Sequence, residues 1–155
     1  IMISIVITLL VSFIIGVMVH FDPSITAITL RTDVAMGTIF LAFASGITGS
    51  VTFTSDISSA LIGVMVAVAL LPPLVVFGLL LGSGDYYLST GALLLFLVNM
   101  VCINLSGLLT FTIQKIRPIK KEETRKSYKL TYLSIGIWVV ILIILLILIR
   151  IRNII

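Results

Sequence analysis

Charge is the scarcest property of this sequence. Lys, Arg, Asp and Glu make up 10% of its 155 residues, against roughly 25% in a soluble domain, whose surface must stay hydrated. The few present are bunched: between Val34 and Gln114 only Asp56 and Asp85 occur. No water-soluble fold covers so long a stretch of uncharged, apolar chain, so a soluble globular domain is excluded. A single cysteine, Cys102, excludes an intrachain disulfide and the small stapled scaffolds of secreted proteins. One histidine beside one cysteine cannot build a zinc or haem site within one chain, so no cofactor or metal is expected. Catalytic groupings are missing too. Asp56 and Asp85 each lack a second carboxylate close in sequence, which removes paired acid–base chemistry. Gly82-Ser83-Gly84 lacks the Lys-Ser/Thr that completes a phosphate loop. With no nucleophile motif or nucleotide fingerprint either, the chain reads as no enzyme.

What is present is hydrophobic: 60% of residues are apolar and the mean hydropathy is +1.34. A hydrocarbon core about 30 Å thick takes roughly 20 apolar residues as a helix. Ile1 to His20 is such a run, without a charge and without the basic start of a signal peptide. Because the chain opens at Ile1 inside that run, it reads as lacking the start of a longer protein. A polar connection with Asp22-Pro23-Ser24 as its turn signal leads to Thr32 and Asp33, which suit the cap of a second span, about Val34 to Val51. Asp56 caps a third, about Ile57 to Gly82. Ser83-Gly84-Asp85 makes a tight turn, and a fourth span runs from about Leu88 to Gln114. Leu130 to Ile149 forms the fifth. The expected fold is therefore all-α: a polytopic transmembrane helix bundle of about five spans. Residues 1–114 form a four-span membrane core, 115–129 a basic linker, and 130–155 a C-terminal anchor helix.

Seven of the ten basic residues lie between Lys115 and Lys129. Beside hydrophobic spans, such a cluster reads as cytoplasmic and as a contact for anionic lipid headgroups, not as a nucleic-acid site. Counting crossings back puts the Gly84 turn and the Phe21 to Asp33 connection on the outer side of the plasma membrane, with Arg150 and Arg152. A re-entrant third segment would flip those outer assignments. The first four spans carry small residues every fourth position: Ser4, Thr8, Ser12 and Gly16; Ala42, Gly46 and Ser50; Ser59, Gly63 and Ala67. Such rows let helix backbones approach closely in lipid. Their number argues for a homo-oligomer, since one chain of short spans has few places to bury them all.

Pro72-Pro73 falls in the middle of the third span. Each proline lacks an N–H, so the carbonyls of Val68 and Ala69 lose their helical partners, and the expectation is a helix broken at this pair. Pro72 lies 13 residues before Asp85 and Asn99 lies 14 after it, which puts them at similar depth in adjacent antiparallel helices. The Asn99 amide can serve the freed carbonyls. Broken helices of this kind are common where transporters bind solutes near the midplane. Asn99 reads equally as interhelical glue or as part of a pathway, and both readings place it inside the bundle.

The run AVALLPPLVVFGLLLGSGDYYLSTGALLLFLVNMVCINLSG, from Ala67 to Gly107, resembles a widespread prokaryotic membrane family catalogued as domain of unknown function 389. The likeness rests on Leu71-Pro72-Pro73-Leu74, Gly82, Gly84-Asp85, Gly91 to Leu97 and Asn99. Leu30-Arg31-Thr32 matches more weakly, because Asp33 and Val34 stand where a proline is expected. The likeness covers roughly Ile1 to Pro118. It implies an integral membrane protein of several helices, often with additional sequence before this region, and carries no settled activity. On these grounds the function read from the sequence is that of a transporter or channel domain for a small solute or ion. The other reading is a non-transporting membrane module that anchors or assembles a cytoplasmic partner.

Overall fold

The computed structural model describes residues 2–19, 26–32, 36–54, 59–114, 124–152 and 154, and every regular element within them is an α-helix. These are α1 (Met2–Met18), α2 (Thr26–Thr32), α3 (Met36–Thr54), α4 (Ser59–Ser83), α5 (Tyr86–Ile113) and α6 (Thr124–Arg152). The all-α bundle is thus the observed fold. Val66–Ser83 of α4, all of α5 and Leu130–Arg152 of α6 are long and apolar enough to cross a membrane. The 17 residues of α1 and 19 of α3 reach about 25 and 28 Å at 1.5 Å per residue, a little under the thickness of a bilayer core.

The bundle is apolar on the outside. Ile3, Phe40 and Ile113 are each at least 75% exposed, while Ser12, Ser89 and Ser106 are at most 3% exposed. In water such an exterior would aggregate; in lipid it is solvated. The buried hydroxyls satisfy themselves on helix carbonyls: Ser12 Oγ donates to Leu9 at 3.2 Å, Ser89 Oγ to Phe77 at 3.3 Å and Ser106 Oγ to Ile103 at 3.0 Å.

The hairpin of α4 and α5 is the centre. Gly84, at φ +89°, ends α4 in the left-handed conformation that costs glycine least. The Asp85 N–H then reaches the Leu80 carbonyl at 3.0 Å, the six-to-one closure of a Schellman cap. Of the remaining helices, α1 lies on α4, α3 on α5 and less closely on α4, α6 on α5, and α2 on the hairpin. Contacts fix their directions. Gly78 meets Ser12 and Gly82 meets Phe13 and Val17, so α1 runs parallel to α4. Gly46 meets Ser106 while Ser50 lies beside Gly107, so α3 runs parallel to α5. Tyr87, at the start of α5, touches Arg152, at the end of α6. Successive long helices therefore alternate in direction, with the hairpin turn, α2 and Arg152 at one end.

Two small-residue rows are used inside the chain. A Cβ on Gly16 would collide with the Leu79 carbonyl, and one on Gly46 with Ser106 Oγ. Ser12 and Ala42 are buried beside them, and Ser50 is half-buried. The third row is a correction: Gly63 is exposed, with open space where its Cβ would be. On α4 the close-approach residues are Gly78 and Gly82, which occupy the same four-residue spacing nearer the turn.

Three further differences emerge. The helix break expected at Pro72-Pro73 is absent, since α4 continues through both prolines. Proline's fixed φ near −65° is itself helical, and one of the two carbonyls left without a helical partner, that of Ala69, is met from another helix, as described below. The connection after α1 contains a seven-residue helix, α2, whose Ile28 buries against Val76, Leu80 and Ala92. Lastly, α6 begins at Thr124, within the expected linker, because neither proline nor glycine interrupts the chain between Thr124 and Leu130. His20, Asp33, Asp56 and residues 115–123 of the basic linker lie outside the described residues.

Candidate intramembrane groove at Asn99

Continuity of α4 sets the chemistry of the site. Pro73 has no N–H to give the carbonyl of Ala69, four residues back. Asn99 Nδ2 donates to that carbonyl at 3.1 Å, across the hairpin. A backbone carbonyl can only accept, so the contact fixes the amide's orientation and leaves Oδ1 and the second N–H of Asn99 for other partners. Asn99 is half-buried on the fourteenth residue of α5, about 20 Å from its start and close to the middle of a 28-residue helix.

Beside this contact α3 and α4 stand apart over α5 and leave a groove of about 950 Å³. Asn99, Leu95 and Ile103 contribute from α5; Val68 and Ala69 from α4; Ser45, Gly46, Thr48 and Ser50 from α3. Phe111 lines it as well, so along α5 the groove extends from Leu95 toward the linker end, about 24 Å of helix. Toward the hairpin turn the bundle is filled by Ile28, Val76, Leu80 and Ala92, each at most 7% exposed.

The lining hydroxyls have spent their protons. Ser45 Oγ donates to Ala42 at 2.9 Å, Thr48 Oγ1 to Ala44 at 2.9 Å and Ser50 Oγ to Gly46 at 2.7 Å. Their lone pairs are what they offer the groove. Among the described residues no group of three His, Cys, Asp or Glu could hold a metal ion, and none of these four types lines the groove.

The structure thus brings Val68, Ala69 and Asn99 together on the groove, whereas Pro72 and Pro73 sit in α4 behind it. Ala42, Gly46 and Ser50 serve both the α3–α5 contact and the groove wall. Ser12 and Gly16 lie on the α1–α4 contact, and Gly63 does not pack. Cys102, Ser106 and Thr110 are buried. Asn104 is exposed and bonds its own helix at Met100, 2.7 Å.

A second polar cluster at the hairpin end escaped the sequence reading. Arg152 Nη1 donates to the carbonyl of Thr32 at 3.0 Å, its guanidinium stands 4.7 Å above the Tyr87 ring, and Tyr87 Oη donates to the Arg152 carbonyl at 3.2 Å. Gly91 leaves room for the guanidinium, which a Cβ there would strike. A cation at the last carbonyls of α2 also complements the dipole of that helix. The one signal for it in the sequence is that Arg150 and Arg152 are expected on the outer side, against the charge rule.

Comparison with known proteins agrees with the resemblance. The chain is 48% identical over 114 residues to the uncharacterized protein MJ0678 of Methanocaldococcus jannaschii, an alignment covering 72% of this chain and 35% of that relative. The chain thus spans about a third of the length of the curated relative it matches. No solved structure matches it. Residues 1–105 match the family described as Domain of unknown function (DUF389), and the chain belongs to that family.

Proposed function

We propose that the chain is a transporter or channel domain, in which the groove at Asn99 is the solute pathway. The observation that carries this reading is a half-buried amide near mid-depth at the floor of a groove of about 950 Å³. A polar group this deep is costly in lipid unless it has a partner, and Pro73 leaves such a group, the Ala69 carbonyl, at the groove beside Asn99. In this reading the chain lies in the plasma membrane with residues 115–129 on the cytoplasmic side, against anionic headgroups. It works as a homo-oligomer and performs no covalent chemistry. Solute flux into reconstituted vesicles tests the proposal. Asn99→Leu should alter flux while the protein stays folded, and Asn104→Leu should leave it unchanged; equal flux in all three and in empty vesicles would refute it.

The second reading is a membrane module that anchors or assembles a partner. What favours it is that the chain corresponds to only 35% of the Methanocaldococcus relative, so most of that protein is something else. A groove that stays dry and a bundle that moves nothing would decide for it.

A further inference from the structure

The groove's surroundings restrict what it can take. Among the described residues its lining includes no Asp, Glu, Lys, Arg or His. An anion needs several converging donors; the second N–H of Asn99 is one, but the hydroxyl protons of Ser45, Thr48 and Ser50 already point at the carbonyls of Ala42, Ala44 and Gly46. An anion would meet their lone pairs and be repelled. A desolvated cation needs several oxygens converging on one point, as in filters built from carbonyl rings. Ser45 and Ser50 are five residues apart on α3, about 7.5 Å of rise, and face different ways around the helix, so these oxygens do not converge. The opposite wall, with Val64, Val66 and Val68 of α4, is aliphatic.

Acceptors along one side and hydrocarbon along the other match one class of solute. Resting on the transport reading of this groove, we infer that its solute is an uncharged molecule carrying hydrogen-bond donors on an apolar frame, such as a small polyol or amide, and not an ion. Its donors meet Ser45 Oγ, Thr48 Oγ1, Ser50 Oγ and Asn99 Oδ1 in succession, and its C–H face slides on the valines. No bond is formed or broken, and no counter-charge is required.

Glycerol and urea are the probes, with potassium and chloride as the charged comparison. The full chain is reconstituted in vesicles, neutral-solute entry is followed by stopped-flow light scattering, and ion movement by a potential-sensitive dye. Glycerol or urea should equilibrate faster than in empty vesicles, with no change for either ion. Thr48→Val keeps the side chain's shape and removes one exposed acceptor. It should slow the neutral solute about fivefold, the worth of one net hydrogen bond. Ion conduction that Thr48→Val or Asn99→Leu alters would overturn the inference while leaving the transport reading standing. Absence of movement for all four probes would overturn both. Neutral flux indifferent to Thr48→Val and Asn99→Leu would also refute the inference.

Discussion

The amide of Asn99 occupies the carbonyl of Ala69 that Pro73 leaves without a helical partner, at 3.1 Å and across 30 positions of chain. One side chain therefore serves the backbone of a neighbouring helix, within an α4 that runs continuously through two prolines. The same contact holds the amide at the groove, so one hydrogen bond joins the α4–α5 packing to the candidate site.

That pairing is specific to one proline. Asn99→Leu should destabilise the protein by about 1 to 2 kcal/mol, the range for polar contacts between membrane helices. Adding Pro73→Ala should recover most of the loss, because residue 73 regains the N–H that Ala69 needs. Pro72→Ala should recover less, since its N–H would address Val68. Unfolding in mild detergent measures all four proteins, and equal rescue by the two alanines would show that the pairing is not what Asn99 contributes.

The glycines of α4 divide by position. Gly78→Ala should destabilise the bundle by about 1 to 3 kcal/mol, because its Cβ would strike Ser12 in a closely packed contact. Gly63→Ala should be neutral or stabilising by up to about 1 kcal/mol, the difference in helix propensity with open space around the new methyl. Thermal unfolding of both variants checks the opposite signs.

Arg152 should fasten the end of α6. Arg152→Gln gives up a charge-assisted hydrogen bond to Thr32 and the contact with the Tyr87 ring, for a loss of about 1.5 to 3 kcal/mol. Tyr87→Phe keeps the ring and should cost only about 0.5 to 1.5 kcal/mol. A cysteine crosslink between the start of α5 and the end of α6 should form less efficiently in Arg152→Gln than in Tyr87→Phe. Identical behaviour of the two would show that the guanidinium does not hold the helix.

The linker end should be cytoplasmic. A cysteine placed at Ser127, with Cys102→Ala, should resist an impermeant thiol reagent applied to intact cells, whereas one placed at Tyr86, exposed beside the Gly84 turn, should react. The reverse pattern would invert the topology.

Much of this was legible in the sequence, for identifiable reasons. The helices follow from long apolar runs, and the depth match of Pro72 with Asn99 follows from counting outward from Asp85. What sequence rules missed were relationships between distant residues. The rule that proline breaks a helix is local, and it cannot register a donor supplied 30 positions later. Gly63 and Gly78 have the same four-residue spacing to another small residue, so periodicity alone does not say which face meets α1. Arg152 and Thr32 are 120 positions apart, and nothing near either one announces the other. The groove arises where α3 and α4 diverge over α5, a property of three helices that no one segment carries.

Water access to that groove tests the central claim most directly. A cysteine is placed at Ser45, which lines the groove, or at Phe40, which is 75% exposed on the outer face of α3, each with Cys102→Ala. Both are treated in vesicles with a small, membrane-impermeant thiol reagent on the linker side. A pathway at Asn99 predicts rapid labelling at position 45, slowed by Asn99→Leu, and none at position 40. Inertness at both positions, in a protein shown to be folded, would contradict it.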